Sequence, residues 1–223
     1  MIGVYGGTFD PVHYGHLRTS LEVWEALELD ELRFVPCQIP AHRGTPGATP
    51  EQRLAMLRAA LADAPPGIRI DTRELERAGA SFMVDTLSSL RDDIGNTAPL
   101  ILILGSDAFQ GLHRWHCWQS LAELAHIVVM QRPGIERTWP AELEGYFAKC
   151  ICQQPKDMKT RPAGLIHFMA VSQLEISASH IRQLVGYQKS AQYLTPQSVI
   201  RLIDQNQLYR QVEFRSNRQE ASS

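Results

Sequence analysis

Two histidines three residues apart, His13 and His16, close the run Gly6-Gly7-Thr8-Phe9-Asp10-Pro11-Val12-His13-Tyr14-Gly15-His16. Imidazole, neutral or protonated, donates hydrogen bonds to phosphate oxygens as charge builds on them. This spacing can aim both rings at one point across a tight turn into a helix. Two nearby histidines elsewhere usually sit on a surface or cap a helix. Here Gly6-Gly7, Pro11 and Gly15 frame them, and the chemistry they suit is that of phosphates. Gly6 and Gly7 let backbone come close to a ligand. N–H groups at the turn and helix start, aided by the helix dipole, hold anionic oxygens.

A second stretch is Ile176-Ser177-Ala178-Ser179-His180-Ile181-Arg182. Hydroxyls and N–H groups at a helix start make an anion site, and Arg182 one turn in adds a planar cation suited to phosphate. In isolation the stretch reads as an ordinary serine cap with a solvated arginine. Beside the first motif it reads as a second phosphate element. Gly105-Ser106-Asp107 follows the apolar run Leu100–Leu104. An acid just past a parallel strand can accept hydrogen bonds from a ribose hydroxyl; Asp107 can equally be a helix N-cap.

The elements that must position these residues alternate strand and helix. Ile2–Tyr5 predicts a strand ending in Gly6-Gly7, and Leu17, Leu21, Trp24 and Leu27 predict an amphipathic helix near 15–28. Residues 32–35 predict a strand stopped by Pro36, and residues 36–49 a loop. Thr49-Pro50-Glu51-Gln52 opens a helix as a capping box, with Leu54, Leu57, Ala60 and Leu61 as its buried face. Ile68–Ile70 is a short strand, and Ser81 caps a helix to about Asp93. Leu100–Leu104 reads as a central parallel strand covered on both faces. Residues 127–130 and 166–169 are further strands, with 135–165 a peripheral insertion between them. One helix starts near 177–179, and another is capped by Thr195 with Pro196 at its first position. The expected fold is α/β: a Rossmann-like parallel sheet with helices on both faces and a small C-terminal helical part, about 177–210. Residues 1–210 form one domain, and 211–223 are a polar tail that frays.

The chain has 223 residues, net charge −2, 44% hydrophobic and 21% charged residues. That suits a globular domain with a real core. The near-neutral balance gives no footprint for nucleic acid or an acidic membrane. No apolar run reaches the length of a membrane span, and the N-terminus lacks the features of a signal peptide. Cys37, Cys117, Cys150 and Cys152 fit neither a disulfide framework nor a zinc site, so reduced thiols in a cytoplasmic protein are expected, with no protein-held metal. The sequence does not set the oligomeric state.

The first motif resembles the signature of the HxGH nucleotidyltransferase superfamily, here His13-Tyr14-Gly15-His16. The second resembles that superfamily's ISSTxIR signature, with Ala178 for a serine and Ser179 for the threonine. Members that adenylylate phosphopantetheine or use CTP are usually shorter. Over residues 1–210 the chain is similar to bacterial nicotinate-nucleotide adenylyltransferases. Pro40-Ala41-His42-Arg43 resembles their Pro-His-Lys/Arg loop, and Ser81–Leu87 their SYTxDTL segment. Trp115-His116-Cys117-Trp118 resembles their tryptophan loop, in which the first tryptophan stacks on pyridine, while Trp118 is assigned to the core. Arg132-Pro133, Tyr193–Pro196 and Asn206–Tyr209 also match.

The resemblance implies adenylyl transfer from ATP to nicotinate mononucleotide, giving deamido-NAD and pyrophosphate in NAD biosynthesis, with Mg²⁺ carried by the ATP phosphates. It implies catalytic roles for His13, His16, Ser179 and Arg182. ATP contacts fall to Gly6, Gly7, Thr8, Phe9, Gly105, Asp107 and Ile176. Acceptor contacts fall to His42, Arg43, Met83, Trp115, His116 and Arg132. Arg43 can also be a solvated loop residue. Met83 replaces the usual threonine, whose hydroxyl helps hold the nicotinate carboxylate. The alternatives are transfer to nicotinamide mononucleotide or phosphopantetheine, and a non-catalytic dinucleotide-sensing module.

Overall fold

The computed structural model describes residues 1–40, 45–131, 139–172 and 174–210. In chain order its strands and helices are β1 (Ile2–Gly7), α1 (Tyr14–Ala26), β2 (Glu31–Pro36), β3 (Ile39–Pro40), α2 (Pro50–Ala60), β4 (Ile68–Ile70), β5 (Ala80–Ser81) and α3 (Met83–Ile94). There follow β6 (Leu100–Gly105), α4 (Ser106–Gln110), α5 (Leu121–Leu124), β7 (His126–Gln131), α6 (Ala141–Phe147), β8 (Ile166–Ala170), α7 (Ala178–Gly186) and α8 (Gln197–Gln205).

Six strands form one sheet in the order β4-β2-β1-β6-β7-β8, with every pairing parallel. The period of two along each strand divides the core. Ile101, Ile103, Val128 and Met130 face Val23 of α1, Met56 and Leu57 of α2, and Val199 and Ile203 of α8. Leu100, Leu102, Leu104, Ile127 and Val129 face Leu87 and Leu90 of α3, Leu121 of α5, and Leu143 and Phe147 of α6. Burial on both faces is why β6 reads as an unbroken apolar run. Each such side chain contributes roughly 1.5–3 kcal/mol.

The strand order reverses between β1 and β6. From β1 the chain builds outward to β2 and β4, then crosses back to β6, β7 and β8. The crevice at the carboxyl ends of β1 and β6 is the topological switch point, where open α/β sheets bind ligands. Both Gly6-Gly7 and Gly105 end their strands there.

Several sequence expectations are refined. The Thr49 capping box forms, with Gln52 N–H donating to Thr49 Oγ1 and Thr49 N–H to Gln52 Oε1. On α2, Leu57 is buried and Ala60 and Leu61 pack against the core as expected, while Leu54 is only partly buried and the other fully buried positions are Arg53 and Met56. Ser81 does not cap α3; it lies in β5, which pairs in parallel with β3, so residues 36–49 are not wholly loop. Thr195 is not the cap of α8, which begins after Pro196; its hydroxyl donates instead to the Val12 carbonyl. Residues within 139–165 are not merely peripheral, since Leu143, Phe147 and Met158 are fully buried. The tail from 211 lies outside the described residues.

Candidate active site

The turn after β1 uses backbone that residues with side chains rarely adopt. Phe9 adopts a positive φ of 48°. Its ring folds inward to pack edge-on against Tyr5 and His16, at centroid separations of 5.9 and 5.3 Å. Phe9 is thus buried, and only its backbone lines the crevice. A Cβ at Gly7 would lie 2.8 Å from the Phe9 ring, so the turn requires glycine there.

His13 is the N-cap residue of α1, in extended backbone, and His16 is the third residue of the helix. The His13 backbone N–H donates to Nδ1 of His16 at 3.3 Å. This is the bond a Glu or Gln side chain makes in an ordinary capping box. The rings stack with centroids 3.7 Å apart and planes at 31°. Burial, with 5% of His13 exposed, lowers its pKa to about 4, so the ring is neutral near neutrality. Its Nδ1 has no hydrogen-bond partner among the described residues. A Cβ at Gly15 would lie 2.9 Å from that Nδ1 and 3.2 Å from the Ile176 carbonyl oxygen. Gly15 is therefore where the two sequence motifs touch.

The C-terminal segment fixes this turn from the other side. Tyr14 N–H donates to the Leu194 carbonyl at 3.1 Å, and Thr195 Oγ1 to the Val12 carbonyl at 2.7 Å. Ser177 caps α7 through the His180 N–H. Ser179 is exposed in the first turn of α7, and Arg182 reaches back to the first motif. Arg182 Nη1 donates to the Asp10 carbonyl at 2.6 Å, and Nη2 to Ser179 Oγ at 3.3 Å. His13, His16, Gly15, Ile176, Ser179 and Arg182, 169 positions apart at the extremes (182 − 13), thus form one cluster.

On the opposite side of Gly6 lies the start of α3. A Cβ at Gly6 would stand 2.5 Å from the Met83 Cε, so Met83 lies directly on the β1 turn. Phe82 stacks on the exposed His116 ring at 4.6 Å. Trp115 is half-buried against the α3 side of the core, and Trp118 packs on Tyr146 and Phe147. Asp107 is exposed in the first turn of α4, whose N-cap is Gly105, so it is not the cap. His42, Arg43 and Arg132 lie outside the described residues.

Three buried groups were not anticipated. Arg53 is 0% exposed; its Nη1 donates to the Thr8 carbonyl at 2.8 Å and Nη2 to the Gln38 carbonyl at 3.0 Å. It clamps the first-motif turn to the strand end beside it. A charged residue in core register on α2 was the available signal. Glu74 is buried and accepts the Thr86 hydroxyl at 2.6 Å, and burial raises its pKa. Asp10, 4% exposed, accepts the Gly47 N–H at 2.8 Å on Oδ2 and the Tyr209 hydroxyl at 2.7 Å on Oδ1. No group of three or more His, Cys, Asp or Glu side chains among the described residues is placed to hold a metal ion. No described helix is long and apolar enough to cross a membrane.

Residues 4–184, which include both motifs, match the cytidylyltransferase-like family. A probable nicotinate-nucleotide adenylyltransferase from Methylococcus capsulatus is 51% identical over 209 residues, 94% of this chain and 99% of its own. One from Cellvibrio japonicus is 47% identical over 212 residues, 94% and 98% of the two chains. The structure of Plasmodium falciparum nicotinic acid mononucleotide adenylyltransferase complexed with NaAD superposes with a TM-score of 0.70 at 18% identity, covering 93% of this chain and 96% of that one. At that identity the likeness concerns the fold, a Rossmann-like parallel sheet. With near-full-length identity to these relatives and both motifs joined at one crevice, the chain belongs to the nicotinate-nucleotide adenylyltransferase family.

Proposed function

We propose that this enzyme transfers the adenylyl group of ATP to nicotinate mononucleotide, yielding deamido-NAD and pyrophosphate for NAD biosynthesis. The observation that carries the reading is the convergence of the stacked His13–His16 pair and Arg182 at the carboxyl end of β1. The acceptor's 5′-phosphate oxygen attacks the α-phosphorus of ATP. The bond from that phosphorus to the bridging oxygen breaks, and pyrophosphate leaves with the electron pair. A phosphate is already a good nucleophile, so positioning and charge stabilisation suffice.

His16 faces the α-phosphate, while His13, Ser179 and Arg182 hold the β- and γ-phosphates and the departing pyrophosphate. The backbone of Gly6, Gly7, Thr8 and Phe9 supplies close approach. Gly105, Asp107 and Ile176 serve the adenylate side. The acceptor ring lies on Trp115, near His116 and Met83; His42, Arg43 and Arg132 are the further acceptor contacts that the family resemblance implies. Helix starts leave N–H groups without intrahelical partners, and the N-terminus of α3 at Met83 therefore offers donors to the nicotinate carboxylate. Mg²⁺ would be carried on the triphosphate as its counter-ion, since it keeps most of its own waters and binds substrate phosphates. It supplies charge neutralisation there. The free thiols suit a cytoplasmic location.

The test is isotopic. ATP labelled at the α-phosphorus should pass its label to the dinucleotide, and γ-labelled ATP should pass it to pyrophosphate. Label appearing in inorganic phosphate or on the protein would contradict the reading.

A further inference from the structure

Asp10 and Arg182 are a buried carboxylate and a half-buried guanidinium in the same cluster, yet their ion pair is a loose one. Arg182 Nη1 stands 3.8 Å from Asp10 Oδ2 and bonds instead to the carbonyl of the same residue at 2.6 Å. The reason lies in what occupies the carboxylate. Gly47 N–H takes Oδ2 at 2.8 Å, and the Tyr209 hydroxyl takes Oδ1 at 2.7 Å. Charge-assisted bonds to both oxygens satisfy the carboxylate without the arginine.

Tyr209 is built for this contact. Burial and the adjacent Asp10 charge hold its phenol far above the usual range, so the hydroxyl stays protonated and remains a donor. Its backbone is left-handed, φ 61°, as is that of Gln207, φ 51°, so the chain doubles back after α8 and returns the ring to the first motif. A bulky residue in that region is a local cost that surrounding contacts must hold in place. Gly47 is the other half of the arrangement. A Cβ there would lie 3.0 Å from the Tyr209 ring and 3.6 Å from Arg182 Cδ, so both side chains pack on one glycine.

We propose that the Tyr209 hydroxyl is a positioning group that occupies Asp10 and thereby keeps the Arg182 charge directed at the ligand phosphates. Without it, Oδ1 becomes an open acceptor in a buried site, and Arg182 closes onto Asp10 as a paired guanidinium–carboxylate. The phosphates then compete with an internal anion. This inference rests on the adenylyl-transfer reading.

The experiment is calorimetric titration of ATP into the parent, Tyr209→Phe, Asp10→Asn, and the Asp10→Asn/Tyr209→Phe double variant, with thermal melts of each. Phenylalanine keeps the ring against Gly47. Tyr209→Phe should weaken ATP about tenfold, the scale of one competing charge-assisted bond, with the acceptor KM unchanged. In the Asp10→Asn background, where the internal anion is gone, the same change should have no further effect on ATP. The Arg182 Nε–H resonance should shift in Tyr209→Phe and not between the two Asp10→Asn proteins. Unchanged ATP affinity in Tyr209→Phe, or an equal loss in both backgrounds, overturns the inference. Should Tyr209→Phe melt too low to titrate, the Arg182 resonance at low temperature decides in the same way. A parent that does not bind ATP overturns the adenylyl-transfer reading itself, and this inference with it.

Discussion

His16 accepts the backbone N–H of His13 on its Nδ1 at 3.3 Å, and that bond places the neutral ring's proton on Nε2. His16 thereby presents a donor from the start of a helix, where developing phosphate charge is best stabilised. His16→Ala should lower kcat by two or more orders of magnitude, about 3 kcal/mol for one lost donor of this type. The melting temperature should change little. Steady-state rates check this, and a variant within about threefold of the parent would contradict the role.

Arg182 holds two partners with its two terminal nitrogens, Asp10 O and Ser179 Oγ, which shows a planar fork already oriented. Lysine keeps the charge and loses the two-point geometry. Arg182→Ala should therefore impair ATP use more than Arg182→Lys, and both should fall below the parent. Measuring kcat/KM for ATP in the three proteins checks this. Equal losses would count against direct phosphate contact.

The neutral, buried His13 makes stability depend on pH. Its folded-state pKa of about 4 lies below the ordinary value of 6.5, so the unfolded chain binds more protons between those values. The contribution is present above pH 6.5 and is lost as pH falls towards about 4, on the order of 3 kcal/mol in all. Urea unfolding of the parent and His13→Gln at several pH values should show a shallower acid loss in the variant. Parallel curves would contradict the assignment.

Much of this was legible because local patterns and tertiary structure agree. The unbroken apolar run of β6 gave a central strand, and the Gly-Gly turn with its histidines gave the switch-point crevice. Thr49 and Gln52 gave the start of α2. What stayed hidden depends on contacts distant in sequence. Arg53 falls in core register on α2, but what takes its guanidinium, the Thr8 and Gln38 carbonyls, lies far from it in sequence. Asp10 lies within the first motif, but its role needs Gly47 and Tyr209, which no spacing brings near. Thr195 looked like a cap because Pro196 followed it, and tertiary contact with Val12 took its hydroxyl instead. The two-residue strands β3 and β5 are too short to carry a period.

Trp115 is half-buried against the core, and its neighbour in the chain, His116, lies against Phe82. Trp115→Ala should raise the KM for the mononucleotide and leave that for ATP nearly unchanged. An equal rise in both would point to a general loss of structure.

Backbone donors at the start of α3 do not depend on the Met83 side chain, so the acid form should be preferred although no threonine hydroxyl is present there. The amide analogue sets a donor against donors, a mismatch that such sites reject by on the order of 10³-fold or more. Met83→Thr should be tolerated without reversing the preference. The most direct measurement is kcat/KM for pyrophosphate release with nicotinate and nicotinamide mononucleotides in turn. A large preference for nicotinate mononucleotide is the predicted result, and comparable values for the two would contradict the assignment of the acceptor.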